Sequence, residues 1–126
     1  MKQIFDCPPT NIVINVYDGP WDAYSDALHT GVAKASDMDS YDYRGHYAVY
    51  CKETSHAFVG LCLENEDFVD LAGTALDVAF QIVSDQGVAP YAEEDEAVAG
   101  VMKWVLTCLI SAGAKFSEMG SGRLDS

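Results

Sequence analysis

Residues 12 to 17 alternate, with Ile12, Ile14 and Val16 on one side of an extended chain and Val13, Asn15 and Tyr17 on the other. A period of two is the signature of a strand, and the Asp18-Gly19-Pro20 stretch closes it with a turn. Beyond the turn the period lengthens. Pro20 suits the first turn of a helix, Asp18 or Gly19 its cap, and Asp22 its positively polarised end. Trp21, Leu28, Val32 and Ala35 recur at helical spacing, which predicts an amphipathic helix running to about Ser36. Asp22, Asp26 and His29 share its other face.

The segments RGHYAVYC and HAFVGLCLEN then read as two strands joined by the short turn KETS. Asn65 is placed to cap a second helix with Glu66 and Asp67 in its first turn. Its core side is Phe68, Ala72, Ala75, Ala79, Ile82 and Val83, and its polar stripe is Asp70, Thr74, Asp77, Gln81 and Ser84. Gly87 is placed to end it. A last helix starts near EEDE and is almost wholly apolar over residues 97 to 116. That run is long enough to span a bilayer, but Lys103 lies inside it and aligns with Glu96, Thr107 and Ser111. A buried core helix is the expectation.

The predicted order is β-α-β-β-α-α, an α+β domain with a small antiparallel sheet and helices packed on one face. KQIF, residues 2 to 5, is a further candidate edge strand. Residues 1 to 118 form a single domain in this reading, and 119 to 126 a flexible polar tail.

Composition changes the picture chiefly through charge. The chain has 126 residues, 49% of them hydrophobic, which suits one folded domain. Lys and Arg number 7 against 20 Asp and Glu, a net charge of −13. Nucleic-acid affinity rests on basic side chains displacing counterions, so direct binding of DNA or RNA is not expected, nor attachment to an anionic membrane. A basic protein would be attracted from a distance. The four cysteines, Cys7, Cys51, Cys62 and Cys108, have no CxxC spacing, so a zinc site has no sequence support, although Cys51 and Cys62 are close enough in sequence to pair. Without a visible signal peptide, a cytoplasmic location with reduced thiols is expected.

Candidate chemistry is thin. Asp37, Asp39 and Asp42 could offer oxygens to a hard cation, but Tyr41 and Asp42 fall where a calcium loop needs a ligand and a glycine, and no terminal Glu follows. Phosphate-binding loops are missing, so no cofactor is expected. A Cys–His dyad is conceivable only for Cys51 and His56 across the hairpin, without any mark of an oxyanion hole.

The acids themselves remain. No Lys or Arg occurs from Glu53 to Met102. In the N-terminal third, acids alternate with aromatics, and Asp22, Asp26, Asp37, Asp39, Tyr41, Asp42 and Tyr43 form a candidate partner-binding face. Carboxylates accept paired bonds from arginine, and aromatic rings stack on guanidinium groups. A second candidate face is Glu66, Asp67, Asp70 and Asp77. The sequence therefore favours a small acidic inhibitor, monomeric or homodimeric and non-enzymatic, covering the basic, nucleic-acid-facing surface of a partner. Toxin-immunity and phage anti-defence proteins are the analogous classes. A metal-assisted enzyme built on the Asp37, Asp39, Asp42 loop with His29 or His46 is one alternative. A homodimeric module pairing through the last helix is another.

Overall fold

The computed structural model describes residues 2–6, 11–33, 45–86 and 94–124. They form β1 (Lys2–Asp6), β2 (Val13–Tyr17), α1 (Pro20–His29), β3 (Tyr47–Cys51), β4 (His56–Gly60), α2 (Phe68–Gln86) and α3 (Glu94–Leu124). The α+β class stands, with β1 added ahead of the expected order. The four strands lie in the order β1-β2-β4-β3.

Two features differ from the sequence expectation. The sheet is mixed, not antiparallel: β1–β2 and β3–β4 are antiparallel pairs, but β2 and β4 run parallel, with Ile14 opposite Ala57 and Val16 opposite Val59. The β3–β4 hairpin inserts its second strand, not its first, beside β2, and the excursion through α1 makes that parallel placement possible. The helices also cover both faces, not one. Ile14, Val16, Ala57 and Val59 form the main core with Val78 and Ile82 of α2 and Val105, Leu109 and Phe116 of α3. On the other face Tyr17, Phe58 and Cys51 meet Ala23 and Ala27 of α1. The central strands carry apolar side chains on both sides, and each side needs a cover.

α1 approaches the sheet through small residues. Gly19 is its N-cap and Pro20 opens it. At Gly60 an added Cβ would stand 2.4 Å from Pro20 Cα and 2.7 Å from the Gly19 carbonyl oxygen, so glycine is required by the closeness of two backbones. The buried residues of α1 are Ala23 and Ala27, while Trp21 and Leu28 are 49% and 41% exposed, opposite to the core expected from their spacing. The helix stops at His29, well short of Ser36. Gly31 takes a left-handed φ of +82°, and the N–H groups of Val32 and Ala33 both turn back to the Ala27 carbonyl.

α2 is capped by Asp67, whose Oδ1 accepts the Val69 N–H at 2.9 Å, and not by Asn65. Asn65 instead holds the Asp67 N–H at 2.9 Å one step earlier. The α2 core side is Ala75, Val78, Ala79, Ile82 and Val83, and Phe68, expected in the core, is 58% exposed at the first turn.

α3 buries Val98, Val105, Cys108, Leu109, Ala112 and Phe116 on one side and leaves Lys103, Thr107 and Ile110 outside. Val98–Glu118 is long and apolar enough to cross a membrane by length and composition. Here its apolar side is packed against the sheet and α2. The helix continues to Leu124, through most of the stretch expected to be a flexible tail.

Candidate functional site

The N-terminal acidic face is only partly within the described residues, since Asp37, Asp39, Tyr41, Asp42 and Tyr43 lie outside them. Asp22 is exposed on α1, whereas Asp26 accepts a hydrogen bond from Tyr17 Oη at 2.5 Å. Burial, and then the Asp26 carboxylate, hold the Tyr17 phenol well above the ordinary tyrosine range, so it stays a neutral donor. Lys2 Nζ lies 5.8 Å from the Tyr17 ring centroid and brings positive charge to this corner. Tyr24 makes edge-on contacts with Trp21 and Tyr47 at 6.1 and 5.9 Å between centroids. Of this face, then, Asp26 is committed to the fold and Asp22 and Trp21 are presented to solvent.

The second acidic face is carried by α2 and by the turn ahead of it. Glu66, Asp67, Asp70 and Asp77 are all exposed. Asp67 spends one oxygen as the helix cap, and Asp70 Oδ2 accepts the Asn65 side-chain amide at 3.1 Å. Asp77 has no such commitment among the described contacts. Beside these acids runs an apolar stripe that the core of the domain does not use: Val69 is 74% exposed, Leu76 37% and Phe80 51%. No Lys or Arg occurs on α2. The acids of this face are among the residues expected from the sequence, and its apolar half is not. The signal was present, because positions 69, 73, 76 and 80 recur at helical spacing on the side opposite Ala75, Val78, Ala79 and Ile82.

Between α2 and β3 lies a groove in two parts. One, of about 530 Å³, is bounded by Gly45 to Ala48 and by Val69, Asp70, Gly73, Thr74 and Asp77. The other, of about 760 Å³, is bounded by Tyr50, Lys52 and Glu53 and by Phe80, Gln81, Ser84 and Asp85, with Gly31 and Val32 at its rim. Gln81 Oε1 accepts the Tyr50 N–H at 3.2 Å, and Tyr50 Oη donates to Asp85 Oδ2 at 2.9 Å.

Cys7 lies outside the described residues, and the described histidines make contacts within the fold. Cys51 and His56 are register partners, as a dyad would require, yet Cys51 Sγ faces Glu53 Oε2 at 3.5 Å and His56 Nδ1 accepts from Asn15 Nδ2 at 3.1 Å. Asn15 Nδ2 also donates to the Ala57 carbonyl at 3.1 Å, so this buried amide clamps β2 to β4. His46 Nδ1 accepts the Cys62 N–H at 3.0 Å, which puts the ring proton on Nε2, a buried atom with no hydrogen-bond partner among the described residues. Burial lowers the His46 pKa, with Asp70 opposing it. His29 Nδ1 is 2.8 Å from the Ser25 carbonyl oxygen. Cys51, Cys62 and Cys108 form no disulfide, so the conceivable Cys51–Cys62 pairing is absent. Among the described residues no group of three His, Cys, Asp or Glu side chains converges as a metal site.

Comparison of the chain with protein-family models, with curated proteins and with solved structures finds no match.

Proposed function

We propose that this chain is a small acidic binding protein, not an enzyme, that occupies the basic, nucleic-acid-facing surface of a protein partner and inhibits it. One observation carries the reading: α2 presents Asp70 and Asp77 alongside exposed Val69, Leu76 and Phe80, with no basic residue on the helix. Apolar anchors rimmed by carboxylates suit a surface rich in Arg and Lys, because the anchors supply affinity and the charges supply steering and register. The net charge of −13 extends the attraction beyond contact distance. The α2 face is favoured over the N-terminal one, where Asp26 is committed to Tyr17 and Lys2 stands close by.

The test starts from a partner isolated with the tagged protein. Nucleic acid bound by that partner should be displaced by this chain, and Asp70→Lys with Asp77→Lys should abolish the displacement. A stable ternary complex of chain, partner and nucleic acid would overturn the proposal. So would direct micromolar binding of the chain to DNA or RNA in low-salt gel shifts.

A further inference from the structure

β3 is an edge strand of the sheet, and its outer side faces α2 across the groove. The Tyr50 N–H points outward, since Gln81 of α2 receives it. Alternate residues of a strand aim their N–H and C=O groups to the same side, so those of Ala48 point outward as well. Edge strands with outward-facing backbone groups are templates for another strand, and proteins commonly guard them with side chains. Gln81 is such a guard here, and a partner carbonyl could replace its Oε1.

The dimensions fit an added strand. The five residues of β3 span roughly 13 Å at strand rise, and residues 69 to 85 of the helix roughly 24 Å at helical rise. The edge thus pairs about four or five extended residues, and the helical wall is long enough for about seven. The chemistry of the walls is asymmetric. Asp70 and Asp77 line one half and Glu53 and Asp85 the other, against Lys52 alone, while Val69 and Phe80 supply apolar contact. Gly73 adds an independent observation. A glycine inside a helix weakens it, yet nothing lies within 4 Å of the Cβ that Gly73 lacks, so no contact within the described chain requires it. The clearance it leaves opens into the groove.

We infer that the β3–α2 groove binds an extended, basic segment of a partner protein by strand addition to β3, with alternate Lys or Arg side chains meeting the acidic wall. This rests on the acidic-surface reading above and specifies where and in what form the partner is held.

The test uses two fluorescein-labelled octapeptides, one alternating Arg and Val and an analogue of it N-methylated at every backbone nitrogen, which carries equal charge but no backbone N–H groups. Anisotropy titrations should show the Arg-Val peptide binding at least tenfold tighter. Gly73→Trp, which fills the groove from an open position, should weaken it at least tenfold with an unchanged circular dichroism spectrum. Asp70→Asn with Asp77→Asn should weaken it and flatten its salt dependence, and bound peptide should slow hydrogen exchange at the Ala48 amide. Equal binding of both peptides, insensitive to Gly73→Trp, overturns the groove and leaves the acidic surface as a diffuse attractor. Failure of both peptides to bind at low salt overturns the groove and the acidic-surface reading together. Dimerisation of the peptide-free protein that Gly73→Trp abolishes overturns the basic occupant in favour of a second copy of this chain.

Discussion

Gly60→Ala tests the closest approach in the fold. The new methyl group would stand 2.4 Å from Pro20 Cα and 2.7 Å from the Gly19 carbonyl oxygen. Both are backbone atoms at the start of α1, so no rotamer change can make room, and the helix must move as a body. Moving it loosens Ala23 and Ala27, both fully buried against the sheet. Overpacking a tight core costs about 1–3 kcal/mol and occasionally more, and a clash between backbones belongs at the upper end. The thermal midpoint should then fall by roughly 5–15 °C for a domain of this size. Urea unfolding followed by circular dichroism at 222 nm would measure it, with an unchanged m-value showing that the denatured state is unaffected. Gly73→Ala is the internal control: its methyl group meets open space, so replacing a helical glycine should raise stability by about 0.5–1 kcal/mol. If Gly60→Ala unfolds like wild type, α1 does not approach β4 this closely and Gly60 is not needed for space.

Asn15→Ala removes the clamp to His56 and Ala57 and leaves both acceptors stranded in a buried strand pair, which should cost about 1–3 kcal/mol in the same urea assay. His46 has a pKa lowered by burial, so its contribution is complete above about pH 6.5, the unfolded value, and is lost as the pH falls towards the folded one. Stability should therefore drop between pH 7 and 5.5 by no more than about 1.4 kcal/mol per pH unit from this group, and His46→Gln should flatten that slope; an unchanged slope would remove His46 from the account. Val105→Asp places a carboxylate at a position with no solvent exposure and should unfold the domain, at a cost of about 3 kcal/mol or more. A Val105→Asp protein with wild-type stability would show that α3 does not pack as described.

Much of the fold was legible because it follows from local rules. The alternation of residues 12 to 17, the turn at 52 to 55 and the Gly19-Pro20 helix start all act within a few residues, and each stands as expected. What failed depended on distance. Trp21 and Leu28 have the hydrophobicity and spacing of a core face, but α1 meets the sheet where only Ala23 and Ala27 fit, a constraint imposed by Gly60 on a strand far along the chain. Helix periodicity finds a stripe and cannot say which stripe has a partner. On α2 there are two apolar stripes, and packing against α3 and the sheet consumed the one through Ala75, Val78, Ala79 and Ile82. Val69, Leu76 and Phe80 were left beside the acids.

The parallel pairing of β2 with β4 was invisible for a related reason. A strand's sequence records which sides are apolar, and the identity of its neighbour depends on where the hairpin lands. Element types, the α+β class and the excess of negative charge follow from residues read in order along the chain. Packing selects which acids are spent on the fold, as Asp26 and Asp67 are, and which face solvent beside apolar anchors. Charge is a sum over residues and can be read in any order, whereas a surface exists only after the core has chosen its side chains.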